Sequence, residues 1–218
     1  MTERYDISDV LPESSRDTLP AGTNIAIVGP SMVGKRELAL ELLASRYVDG
    51  NGVLCITTDG ARTVYEDLER HVESVERDRV GIVDSSGGDT REGVDATVET
   101  VTSPGDLTGI SIGASKLAER FGRRGIADIG YGLVSVSTLL QYLDSKAVFR
   151  FLHIYTRRIE QTGGLGIYTL DDDSHDPKVV NTITGQFDGV IELREADAGD
   201  IEFRLRGFGT QPMPWEPL

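Results

Sequence analysis

Apolar positions in this chain follow two alternating rhythms. Short runs that are apolar almost throughout, at 24–28, 52–58, 80–83, 131–137 and 166–170, predict strands buried on both faces. Between them lie longer stretches that are apolar on one side only. Residues 35–47 predict a helix with Leu38, Leu42 and Leu43 inward. Residues 61–75 predict a charged amphipathic helix, and 145–161 a long one with Val148, Phe151, Leu152 and Ile159 inward. Asp106 is placed as the N-cap of a further helix that runs to about Arg124. Residues 84–95 are rich in Gly, Ser and Asp and predict a loop, 96–102 a short strand, and 171–176 a polar loop before a short helix. Runs at 190–193 and 201–206 predict a closing hairpin.

Strands that alternate with helices predict an α/β fold: a mostly parallel sheet with helices on both faces and an antiparallel hairpin at its C-terminal edge. No repeat or linker interrupts the pattern. Residues 1–218 are therefore expected to form one domain, with 1–20 as a lead-in containing one helical turn and 211–218 as a tail.

Composition adds a setting. The chain has 36 acidic and 22 basic residues, a net charge of −14, and 39% hydrophobic residues. That charge repels phosphate backbones, so nucleic acid is an unfavourable partner. No run is long enough to span a bilayer, and the single cysteine, Cys55, permits no internal disulfide; a cytoplasmic location is expected. The basic residues comprise 4 Lys and 18 Arg, against 20 Asp and 16 Glu. Scarce lysine with abundant carboxylate resembles proteins of salt-loving archaea, where charge is screened within about 3 Å at 1 M salt. A halophilic archaeal protein is therefore the expectation, with an ordinary acidic cytosolic protein as the bland alternative.

The chemistry sits at the first strand–helix junction. Gly29, Pro30, Ser31, Met32, Val33, Gly34 and Lys35 fit the pattern G-x-x-x-x-G-K between a predicted strand and a predicted helix. Glycines there let backbone N–H groups wrap a phosphate chain, the helix N-terminus adds positive potential, and Lys35 reaches the terminal phosphates. The next residue departs from the pattern. A hydroxyl at that position ligates Mg²⁺, but this chain has Arg36, which either neutralises phosphate directly or points to solvent.

With these residues in view the chain resembles the RecA superfamily and, within it, the KaiC-like ATPases of archaea. The resemblance is carried by Leu19-Pro20-Ala21-Gly22-Thr23 through the loop, by Ile56-Thr57-Thr58-Asp59, and by Phe203-Arg204-Leu205-Arg206-Gly207. Ser103-Pro104-Gly105-Asp106-Leu107-Thr108-Gly109 looks like the small haloarchaeal members of unassigned role. The resemblance implies a RecA-like fold and ATP as the ligand. It implies Asp59 as the acid that activates the attacking water, Thr169 as a sensor of the terminal phosphate, and Arg204 and Arg206 as groups that reach the nucleotide of a neighbouring subunit. The bland readings are a strand-end turn at Asp59 before Gly60, a buried strand Thr, and edge-strand charges that discourage aggregation. The family's Mg²⁺-holding Asp aligns with Val134 or Ser135, so both elements that hold the ion are missing and Mg²⁺ is doubtful. Asp171, Asp172, Asp173, His175 and Asp176 match no standard metal spacing and read as a solvated acidic loop; no metal ligands are assigned.

The expected function is an ATP-binding regulatory or signalling protein with weak or no hydrolysis, whose output is self-assembly or binding of a protein partner. The alternatives are an active ATPase with an altered metal site and an interaction module without nucleotide.

Overall fold

The computed structural model describes residues 4–8, 10–11, 18–48, 50–88, 91–197, 199–207 and 213–218. Eleven strands and six helices lie within them. In chain order they are β1 (Arg4–Asp6), β2 (Thr18–Pro20), β3 (Asn24–Gly29), α1 (Lys35–Val48), β4 (Gly52–Thr57), α2 (Ala61–Glu69), β5 (Val80–Asp84) and β6 (Thr97–Thr100). Then follow α3 (Leu107–Arg123), β7 (Ile129–Val134), α4 (Val136–Tyr142), α5 (Ser145–Thr162), β8 (Leu165–Asp171), α6 (Pro177–Thr184), β9 (Gly189–Glu195), β10 (Ile201–Gly207) and β11 (Glu216–Pro217).

Nine strands form one sheet in the order β11-β10-β9-β3-β8-β7-β4-β5-β6. From β9 to β6 every neighbouring pair is parallel, and β10 returns antiparallel along β9. The expected architecture is the observed one. The strand β3, which leads into the loop at 29–35, lies between β8 and β9, so the loop emerges in the interior of the sheet.

Side-chain alternation along the strands divides the core in two. Ile25, Ile27, Val53, Cys55, Ile167 and Ile191 face the layer of α1 and α2, where Leu38, Leu42, Leu43, Val64 and Leu68 complete one cluster. Ala26, Val28, Leu54, Ile56, Tyr168 and Leu170 face the layer of α3 to α6, where Ile110, Leu117, Phe121, Leu152 and Ile159 complete the other. Asp106 caps α3 by accepting from the Gly109 N–H at 2.8 Å, as expected. No helix among the described residues is long and apolar enough to cross a membrane.

Four local expectations are corrected. The strand expected at 131–137 ends at Val134, because Ser135 caps the helix α4 by accepting from the Thr138 N–H at 3.2 Å. The helix expected at 61–75 ends at Glu69. The lead-in contains the antiparallel pair β1–β2 beside its single turn, in which the Leu11 N–H donates to the Ile7 carbonyl at 2.9 Å. The tail adds β11 to the sheet edge, pairing Glu216 with Phe203.

Cys55 is enclosed within β4, and burial pushes its thiol up to about 12. Since the thiolate is the reactive form, Cys55 should resist alkylation by iodoacetamide while the fold is intact and react once the chain is unfolded in guanidinium. Intact-mass spectrometry reads both states, and rapid native labelling would contradict this burial.

Candidate functional site

The loop takes its shape from two glycines with different duties. A Cβ on Gly29 would stand 2.5 Å from the Leu193 carbonyl oxygen, so that position must be bare because backbone passes beside it. Gly34 has open space around it but a φ of 92°, which side chains rarely adopt. Met32 also has a positive φ, 65°, and is fully exposed. These turns bring the backbone to the start of α1, where N–H groups have no intrahelical partner. Among the described residues, no protein acceptor meets the N–H groups of Gly34, Lys35 or Arg36.

Lys35 is buried at 6% exposure. Its Nζ donates to the Gly29 carbonyl at 2.9 Å and to the Pro30 carbonyl, and lies 2.8 Å from Asp171 Oδ1. Asp171 arrives there because β8 pairs with β3 in a register that sets it opposite Gly29. A second carboxylate closes on the loop: Asp173 accepts from the Ser31 N–H and from Ser31 Oγ, each at 3.1 Å. The Ser31 N–H holds the Asp173 carboxyl below its ordinary pKa. Burial, with the neighbouring Asp173 charge, pushes Asp172 up. Two of the acidic residues read as a solvated loop are therefore bound to the phosphate-type loop.

Arg36 does not simply point to solvent. Its guanidinium bridges two carboxylates, with Nη1 2.5 Å from Asp59 Oδ2 and Nε 2.8 Å from Asp67 Oδ2. Asp67 is a buried residue of α2, and nothing in its sequence context pointed to the site. Asp59 also has the turn geometry of its plainer reading: its N–H donates to Thr57 Oγ1 at 3.0 Å, and Gly60 follows with a φ of 94°.

Lys35, Arg36, Asp59, Val134, Ser135, Thr169 and Asp171 line a cleft of about 470 Å³. The size suits a small ligand. Thr169, 2% exposed, lines this cleft, and among the described residues its buried hydroxyl has no hydrogen-bond partner. A buried polar atom left without a partner costs about 1–3 kcal/mol, a penalty that a bound acceptor would remove.

Neither of the two positions at which the resembled family holds Mg²⁺ carries an oxygen ligand here, with Arg36 at one and Val134 at the other. That ion demands near-octahedral oxygen ligands. The position after Lys35 supplies a guanidinium, Val134 supplies no oxygen side chain, and the carboxylates of Asp59 and Asp171 are already paired with cations.

Arg204 and Arg206 lie elsewhere. They alternate with Leu205, which is buried, and close on Glu192 of their own sheet; Arg206 Nε is 3.1 Å from Glu192 Oε1. Arg204 also lies 4.5 Å from the Trp215 ring centre. Arg206 and Glu192 line a second cleft, of about 460 Å³, together with Asp172 and Asp173.

The fold is that of a RecA-like α/β protein with a phosphate-type loop after its central strand. Its solved counterparts include the KaiC-like protein PH0186 from the hyperthermophilic archaeon Pyrococcus horikoshii OT3, at a TM-score of 0.64 and 13% identity, covering 100% of this chain and 94% of that one. The chain itself belongs to DUF7504, a family of unknown function whose profile matches residues 22–193. No curated protein matches the sequence.

Proposed function

We propose that this chain binds a nucleoside triphosphate through residues 29–35 without Mg²⁺, hydrolyses it very slowly or not at all, and serves as a regulatory protein. The observation that carries the reading is the unpartnered Thr169 hydroxyl in a cleft that also holds a buried lysine and free helix N–H groups. Together they form a donor-rich cradle for an anion. Arg36 supports the metal-free part. A guanidinium held on Asp59 and Asp67 stands at the position whose hydroxyl would ligate the ion, and phosphoryl transfer relies on that ion to neutralise developing charge. The acidic composition supports a salt-rich cytoplasm as the setting.

Nucleotide titration with EDTA and with Mg²⁺, alongside phosphate release, tests the reading. The expected result is equal affinity in both buffers and release near background. Binding or turnover only with Mg²⁺ favours an ATPase with an altered metal site. Absence of binding in both buffers favours an interaction module without nucleotide. Assembly through Arg204 and Arg206 requires those side chains to leave Glu192, and mass by light scattering with and without ATP reads it.

A further inference from the structure

The helices α3 and α5 run over the same face of the sheet and leave a groove of about 570 Å³ between them. Its lining sets the apolar Leu107, Ile112, Phe151 and Ile154 beside polar side chains that include Lys116, Glu119 and Arg150. Ile112 is 52% exposed and Ile154 70%. Isolated exposed apolar residues need no explanation, but two that line one groove form a patch.

The charge beside that patch is opposite in sign to the net charge of the molecule. The helix α5 carries Lys146, Arg150, Arg157 and Arg158 against the single acid Glu160. All four cations are exposed. On α3, by contrast, Lys116 pairs with Glu99 at 3.0 Å, Arg120 with Asp78 at 3.6 Å and Arg123 with Glu119 at 2.7 Å. Among the described residues no carboxylate pairs with the four cations of α5; Arg158 donates instead to Ser115 Oγ at 2.6 Å. In a chain with 36 acidic and 22 basic residues, the described residues thus leave Lys146, Arg150, Arg157 and Arg158 without a carboxylate partner on one helix, alongside the exposed groove.

We infer that the α3–α5 groove docks an acidic amphipathic helix of another protein. The occupant's apolar side would pack between Ile112 and Ile154, and its carboxylates would meet Lys146, Arg150 and Arg157. A helix laid in a groove recognises through anchors at i, i+3 or i+4, and i+7, which suits a trough between two helices. Complementary charge on the rim sets partner choice and association rate. A second copy in symmetric contact is disfavoured because it would set cation against cation. Nucleic acid is disfavoured by the net charge of −14, and a flat lipid surface by the concave shape.

The probe is a dye-labelled Leu/Glu peptide about 18 residues long, the length of α5, with Leu at helical spacing. Its control has every Glu replaced by Lys. Fluorescence anisotropy should detect the Glu peptide and find the Lys peptide weaker by roughly tenfold or more. Ile154→Asp and Arg150→Glu should each weaken the Glu peptide by roughly tenfold. Both residues are exposed, so circular dichroism and nucleotide affinity should not move. Failure of the Glu peptide to bind, equal binding of both peptides, or binding untouched by the two variants overturns the inference. So does stronger binding to phosphatidylglycerol vesicles or duplex DNA than to the peptide.

Discussion

Lys35→Ala should lower ATP affinity by about ten- to a hundred-fold. The lysine ammonium is almost fully buried and lies in the cleft with the unpartnered Thr169 hydroxyl. A charge-assisted contact of this kind contributes about 1.5–3 kcal/mol, and alanine removes it whole. Isothermal titration in EDTA measures the change. Affinity equal to that of the parent would mean that the loop is a glycine turn with a structural lysine.

Asp171→Asn should act in the opposite direction, tightening ATP binding by about tenfold. The three donors of Lys35 are taken by Gly29, Pro30 and Asp171. An incoming phosphate must claim one of those places, and the Asp171 carboxylate both occupies one and repels the newcomer. Asparagine keeps the shape and one acceptor but discards the charge. The same substitution should lower the thermal midpoint of the ligand-free protein, because a buried ammonium then lacks its counter-charge; a loss of about 1–3 kcal/mol is expected. Opposite movements of affinity and stability identify Asp171 as a stand-in for phosphate. If both fall together, Asp171 instead orients Lys35 for its ligand.

The elements that the sequence revealed best are those whose environment is uniform. The strands β3, β4 and β8 are covered on both faces, so nearly every residue is apolar or small and the runs stand out. The helix α4 escaped notice because Val134, Ser135 and Val136 continue the apolar run of β7, and a lone serine cap is a weak boundary. The loop at 29–35 was legible because its shape is local. The ties that hold it are not. Asp67 reaches Arg36 from 31 residues away, and Asp171 reaches Lys35 only through the pairing of β8 with β3. In sequence, Asp171 and Asp173 look like their solvated neighbours. The link between Arg204 and Glu192 likewise depends on hairpin register, which sets the two residues opposite each other. Alternation alone put both arginines on one face without revealing their partner.

The scarcity of lysine has a practical consequence for surface chemistry. Lys35 is buried, and the three exposed lysines, Lys116, Lys146 and Lys178, stand on α3, α5 and α6, all on one side of the sheet. Reagents that couple to side-chain amines would therefore mark or tether the protein by that side, leaving the α1–α2 layer facing outward. A sensor chip prepared this way would press the α3–α5 groove against its own matrix and silence it, so immobilisation for binding work belongs at a terminal tag.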